Sequence, residues 1–488
     1  MSRLMRYKHD KKERHAVNAS DQLLDDLKAS AALQRGNSET LYAQLADALT
    51  DAIESGKVQP GDRLPPHRDF ASVLGLNITT VTRAMAVLQQ KGLVQSRPGR
   101  GTQVALPRHP AAQFQSAPSN DPDTVDLSVN RPATTGFNRV LAALLPRLHT
   151  DPRFIDMKDY HPSEGPLWAR EAAAQWLCHT GVPAEASRML IVEGAQHGIA
   201  STLRSLTNAG DIVLADSVTY QGINALCRSL GLVLIGVDAD ARGMSPEALK
   251  NACDEYDPRL VFLVPSIQNP TAITLDQERR EELAAVIRET NLLVIEDDVY
   301  RPLLDSSPPP FVSLLPDRTI YISALSKCIA PGLRMGFVLA PPQLVQDIST
   351  MQRIDCWSTS PLTSLIAARL IEEGHAEQLV TEQKEELRAR QSLLAEHLNG
   401  LEFQNSPTGT HAWLILPEPW IGSRFALLCQ ERGVILLAGG AFTLRSELSP
   451  QAVRINISAA LSREHLVKAL KVISQLARQG HLHMHNRI

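Results

Sequence analysis

Ser323-Ala324-Leu325-Ser326-Lys327-Cys328-Ile329-Ala330-Pro331-Gly332-Leu333-Arg334-Met335-Gly336 lies between two apolar runs, Thr319-Ile320-Tyr321-Ile322 and Phe337-Val338-Leu339-Ala340. The pattern is strand, loop, strand, with one lysine held among small and apolar residues. A lysine taken out of water gives up its proton readily and becomes a nucleophilic amine. Such an amine forms Schiff bases with carbonyl compounds, and a rigid Pro331-Gly332 turn would aim Arg334 back at an anion beside it. Standing alone, the stretch also suits a surface lysine. The order of the segments around it decides the reading.

That order resembles the S-x-S-K-x-x-x-P-G-x-R-x-G segment of fold-type I pyridoxal-phosphate aminotransferases. The resemblance implies that Lys327 carries pyridoxal 5'-phosphate and that Arg334 binds its phosphate. Ala324 stands where many members have a phosphate-binding serine, which leaves Ser323 or Ser326 to compensate, Ser326 being preferred. Gly194-Ala195-Gln196 follows an apolar run and opens a helix whose amides and dipole would receive the phosphate. Tyr220 falls where the family stacks an aromatic ring on the pyridine, although an ordinary core tyrosine reads the same way. Asn269, in Gln268-Asn269-Pro270-Thr271, would donate to the cofactor phenolate oxygen, with Ala272 replacing the usual glycine.

Within Ile295-Glu296-Asp297-Asp298-Val299-Tyr300, the family spacing D-x-x-Y assigns Asp297 to the pyridine nitrogen and Tyr300 to the phenolate side, with Asp298 the rival for the nitrogen. A carboxylate there keeps the ring protonated and makes it an electron sink. Tyr160 resembles the tyrosine that reaches a neighbouring subunit's phosphate, and Arg454 the arginine that clamps an effector or substrate α-carboxylate.

The front of the chain has a different texture. Leu41, Leu45, Leu49, Ala52 and Ile53 recur at helical spacing. A short helix from Pro66 to Leu74 ends at Gly75, a third runs from about Thr79 to Lys91, and Leu93–Gln95 with Thr102–Ala105 brackets a hairpin carrying Arg97 and Arg100. Thr79, Thr80, Thr82 and Arg83 lie near the start of the third helix, where short donors reach base edges and phosphates in a major groove. Arg97 and Arg100 would follow phosphates or enter the minor groove. Residues 38–105 resemble the GntR winged helix-turn-helix domain, which adds Arg68 as a DNA contact and implies a double-stranded operator. Pro66-His67 and Asn77-Ile78-Thr79 depart from the usual pattern, so operator sequence does not carry over.

At 488 residues the chain exceeds one ordinary core, and 43% apolar with 21% charged residues is globular composition. The net charge of -4 hides a basic front: Arg3, Arg6, Lys8, Lys11, Lys12 and Arg14 precede residue 15. Six cysteines without C-x-x-C spacing argue against disulfides and a zinc site; no metal is expected, and a reducing cytoplasm fits. Neither a signal peptide nor an uncharged bilayer-length run is visible, so no membrane association is expected.

The expected organisation is a basic tail at 1–37, the winged helix at 38–105, a Pro-rich linker at 106–123 that extends to about 60 Å, and a cofactor-binding body at 124–480. The body divides into a large part at about 155–380, with a large, mainly parallel α/β sheet, and a small C-terminal α+β part at about 381–480. Short apolar runs supply its strands: Met189–Glu193, Asp211–Ala215, Val233–Val237, Leu260–Val264, Leu292–Glu296, Thr319–Ile322 and Gly336–Ala340, then Ala412–Leu416, Gly433–Leu437 and Val453–Ile457 after a helix at Glu382–Leu398.

Together the two resemblances describe a MocR-type regulator, a GntR winged helix fused to an aminotransferase-like sensor. They imply a head-to-tail homodimer and a small amine or amino-acid effector. A working aminotransferase with a DNA-binding appendage is the second reading, and an empty body used only for dimerisation the third.

Overall fold

The computed structural model describes residues 23–24, 27–28, 41–54, 57–58, 62–90, 93–97, 101–104, 124–133, 136–444 and 450–479. The expected basic cluster before residue 15, the linker at 106–123 and the wing tip with Arg100 lie outside them, as does the Arg97 side chain. The chain forms two units, which are taken in turn.

In the first unit, α1 (Leu41–Glu54), α2 (His67–Leu74) and α3 (Ile78–Gln90) precede a hairpin of β1 (Val94–Arg97) and β2 (Gly101–Val104). Gly75 closes α2 in a left-handed conformation, φ 63°, which costs glycine nothing. Asn77 caps α3, its Oδ1 accepting the Thr79 N–H at 3.0 Å. Leu45, Leu49, Phe70, Val81, Ala84 and Leu88 are buried in one core, each full side-chain burial being worth about 1.5–3 kcal/mol. The wing is tied down by Leu64 N–H to Thr102 O and Val104 N–H to Asp62 O. Leu23, Leu24 and Leu27, within the expected basic tail at 1–37, are buried in the same core.

The second unit begins with β3 (Val125–Asp126) and α4 (Leu167–His179). It continues through β4 (Met189–Val192), α5 (Ala195–Leu206), β5 (Ile212–Asp216), β6 (Val233–Val237), β7 (Leu260–Leu263), β8 (Leu293–Asp297), β9 (Thr319–Ala324) and β10 (Gly336–Leu339). All seven expected strands of the large part join one seven-stranded sheet, ordered β4-β10-β9-β8-β7-β5-β6. Neighbours are parallel except around β10, which runs antiparallel to both β9 and β4. Strands β4, β7, β9 and β10 are buried along their whole length, which is why they read as unbroken apolar runs rather than alternating ones.

The helix expected at Glu382–Leu398 is α6 (His375–His397) and starts a full two turns earlier. Gly374, at φ 76°, is its N-terminal boundary. Beyond it come β11 (Phe403–Asn405), β12 (Ala412–Ile415), β13 (Val434–Ile435), β14 (Leu437–Ala438) and β15 (Ala452–Ile455), with order β11-β12-β15-β14. The single strand expected at Gly433–Leu437 is therefore corrected to two. Its first half pairs in parallel with β3 and only its second half joins the small sheet. The cause is β3 itself, a two-residue strand too short to leave a periodic signature.

Candidate functional site

Several of the site's side chains are delivered at the C-terminal ends of strands, the usual ligand edge of a parallel sheet. Gly194 follows β4, Asp216 and Asp297 end β5 and β8, Asn269 follows β7, and Lys327 comes three residues after β9. A cavity of about 130 Å³ opens there, lined by Ala195, Gln196, Tyr220, Asn269, Asp297, Tyr300, Ser326, Lys327 and Arg334, together with Ile199, Val264, Val299 and Pro331.

Lys327 donates from Nζ to the Asn130 carbonyl at 3.0 Å, and Asn130 Nδ2 donates to the Tyr300 hydroxyl at 2.8 Å. Burial, with the nearby Arg454 charge, lowers the lysine to about 8, so about a tenth of it is free amine at pH 7 and about half at pH 8. Asp297 is buried, and its Oδ1 has no partner among the described residues. Burial and the charge of Asp298 raise its carboxyl to about 7. Asp298, the rival for the same role, points elsewhere: its Oδ2 accepts from Arg301 and from Tyr321, both at 3.4 Å. Burial also pushes Tyr220 up to about 12 and raises Tyr300, keeping both phenols protonated. Tyr220 donates to Gln196 Oε1 at 3.0 Å.

Arg334 donates to the Glu193 carbonyl at 2.9 Å and sits in a left-handed conformation at φ 50°. Gly194 makes room for it. At φ 80° and ψ 166° this residue occupies a region open essentially to glycine alone, and a Cβ there would lie 2.6 Å from Arg334 Nη2. The guanidinium thus lies beside Gly194 at the start of α5, and Ala195 and Gln196 of that helix's first turn line the same cavity. Ala272, where the resembled pattern has glycine, adopts φ 62°.

Arg454, on β15, is buried and depressed to about 10 by burial. It donates to Asn269 Oδ1 at 2.7 Å and to the Ser128 carbonyl, and its guanidinium lies 4.8 Å from the Phe442 ring centroid. Ser326 lines the cavity, whereas Ser323 is buried inside β9. Tyr160 is not brought to the cavity: it is 83% exposed, its ring 5.6 Å from that of Trp357.

The residues present fit pyridoxal phosphate. A buried acid lacks a partner on one oxygen among the described residues, a buried lysine is lowered to about 8, and an arginine sits at a helix start whose glycine admits no side chain. Sequence reasoning missed Ser128 and Asn130, whose carbonyls take Arg454 and Lys327, because they sit in an aperiodic polar segment. It also missed His411, which burial holds near 3 and therefore neutral. His411 contacts the Gln268 carbonyl through Nε2 at 3.0 Å and meets Tyr300 edge-on at 5.8 Å between ring centroids.

On the first unit, Arg68 and Arg83 are exposed, as are Thr79 and Thr82, and Thr80 is half-buried. The Thr79 hydroxyl donates to Asn77 and the Thr82 hydroxyl to the Ile78 carbonyl at 2.9 Å, so both are engaged with their own helix.

A sheet with its amine, acid and anion clamp at the strand ends defines a fold-type I pyridoxal-phosphate protein, preceded here by a winged helix. Residues 122–473 match the model of aminotransferase class I and II, and residues 41–104 that of bacterial regulatory proteins of the gntR family. The chain belongs to the aminotransferase class I and II family and, with its GntR domain, has the MocR-type regulator architecture. It is similar to the uncharacterized HTH-type transcriptional regulator YdeF of Bacillus subtilis, 29% identical over 436 residues, covering 89% of this chain and 94% of that one. The HTH-type transcriptional regulator TauR of Rhodobacter capsulatus is 26% identical over 445 residues, 84% of this chain and 91% of the other. Among solved structures, LysN, the alpha-aminoadipate aminotransferase of Thermus thermophilus complexed with N-(5'-phosphopyridoxyl)-L-leucine, shares the fold. Its TM-score is 0.66 at 23% identity, over 73% of this chain and 92% of that one.

Proposed function

We propose that this chain is a pyridoxal-phosphate-dependent transcriptional regulator whose aminotransferase-like body senses an amino-group effector while its GntR domain reads a double-stranded operator. The observation that carries the reading is the union, in one polypeptide, of the GntR domain with a body in which Lys327 and Asp297 line one cavity. When bound, the cofactor supplies an electrophilic carbonyl conjugated to an electron-withdrawing ring. Lys327 is the amine that would hold it, and Asp297 is the carboxylate that would keep a proton on the ring nitrogen. Tyr220 supplies an aromatic face, Asn269 and Tyr300 serve the phenolate side, and Ala195, Gln196, Ser326 and Arg334 receive the phosphate. Arg454 takes an effector carboxylate in place of Asn269 Oδ1 and the Ser128 carbonyl.

Arg68, Arg83 and the start of α3 would meet DNA. Exposed Tyr160, Trp357 at 50% and Ile354 at 71% support a subunit interface on that face, in keeping with a head-to-tail homodimer. Among the described residues no helix is long and apolar enough to cross a membrane, and with six free cysteines a cytoplasmic location fits.

The test is operator binding by fluorescence anisotropy, with and without a panel of amines. Lys327→Ala is expected to abolish the amine-dependent change while leaving basal DNA binding in place, and an unchanged amine response in that variant rejects the proposal. The second reading, a working aminotransferase, is favoured by the retention of lysine, acid and carboxylate clamp together. Multiple-turnover amino-group transfer to a 2-oxo acid would establish it.

A further inference from the structure

Another cavity of the body, about 690 Å³, shares no lining residue with the one that holds Lys327. Its walls are the C-terminal turn of α4, the segment 301–313 and the start of α6. Arg301, 4% exposed, is fixed inside it. Its Nε donates to the Thr180 carbonyl at 2.8 Å, and its Nη1 to the Pro308 carbonyl at 3.1 Å and to Asp298 at 3.4 Å. Its Nη2 makes no hydrogen bond to any described residue. Gly181, at φ 78°, flanks that nitrogen without covering it, since even an added Cβ would stand 3.5 Å away. Trp176, 1% exposed, lines the same cavity, and its indole N–H also lacks an acceptor among the described residues. A largely buried guanidinium with one nitrogen left open to solvent offers a further acceptor a charge-assisted hydrogen bond.

We propose that this cleft is a second ligand site, taking a small monocarboxylate with a flat apolar body whose carboxylate meets Arg301 Nη2. A single charge is favoured because the neighbouring cations are already engaged. Lys384 donates to the Leu304 carbonyl at 2.7 Å and pairs with Asp305 at 3.1 Å, while His179 faces Glu377 at 3.4 Å. A phosphate dianion would gather few further donors there and would meet the two acids. The body of the ligand is read from Pro302, Pro310, Leu304 and Val380, rigid or aliphatic walls suited to a planar ring. The inference is independent of what Lys327 holds.

Benzoate is the probe, titrated calorimetrically into the full-length, cofactor-loaded protein, with benzamide as the uncharged control. Benzoate is expected to bind at millimolar concentration or better and benzamide at least tenfold more weakly. Exposed Thr381, on the cavity rim, provides a variant that leaves the core alone: Thr381→Trp should weaken benzoate at least tenfold, as should Arg301→Lys if its circular dichroism is native. Absence of benzoate binding overturns the proposal. So does binding that survives Thr381→Trp, and so does binding that is lost in Arg454→Lys instead, which would place benzoate in the Lys327 cavity.

Discussion

At the scale of residues, the site depends on two groups held away from their ordinary protonation. Lys327 is at about 8 chiefly because water is excluded, and Asp297 at about 7 for the same reason. Only the neutral amine is nucleophilic, and its fraction grows as pH climbs towards the lysine's pKa. Capture of added pyridoxal phosphate by the apoprotein, followed by absorbance, should therefore accelerate roughly tenfold per pH unit below pH 8 and level off above it. A profile still rising steeply at pH 10 would mean that Lys327 is not desolvated. These two residues were legible because their motifs carry their own chemistry: a lysine seven positions ahead of an arginine across Pro-Gly, and an acid three ahead of a tyrosine. Asn130 and Ser128 were not, since they take Lys327 and Arg454 through main-chain carbonyls, which every residue has. His411 stayed hidden because a lone histidine beginning an apolar strand looks like any core residue.

At the scale of elements, the β4-to-α5 turn is where backbone and side chain constrain each other most tightly. Gly194→Ala would force a side chain into both a glycine-only conformation and the Arg334 guanidinium. Backbone strain of this kind costs about 1–3 kcal/mol. The expected result is a lower Tm together with at least tenfold weaker pyridoxal phosphate binding, read by thermal melting and by titration of the apoprotein. A variant with wild-type affinity would show that Arg334 has a free alternative position. The sheet strands around this turn were evident in the sequence because burial on both faces makes them continuously apolar. The split of Gly433–Leu437 was not, because membership of two sheets is decided by partners rather than by the run itself. The start of α6 was missed for a related reason: its first turns mix polar and apolar residues without a clean stripe, and Gly374 marks the boundary only through its dihedral.

At the scale of the whole molecule, the chain couples a nucleic-acid module to a small-molecule body. For the former, Arg83→Ala should weaken binding of operator and random duplex alike and lower the slope of log affinity against log salt by about 1, the signature of a lost phosphate contact. A loss confined to one operator position would instead mark Arg83 as a base reader; titrations by anisotropy over a salt series distinguish the two. In the sequence, the texture changes near residue 124, whereas the division into two units falls at Gln115/Ser116. The pairing of β3 with β13, which lies about three hundred residues further on, was not visible there. That short strand has a mechanical meaning. Val125 and Leu127 are hydrogen-bonded into the backbone at Gly433 and Ile435, and the next residues, Ser128 and Asn130, grip Arg454 and Lys327. The chain entering the body is thus tied, within six residues of Val125, both to the cavity lysine and to Arg454. Tension or slack in that thread would tug on the clamp and the amine together, so an optical-tweezer pull on the leader should change how fast the aldehyde leaves.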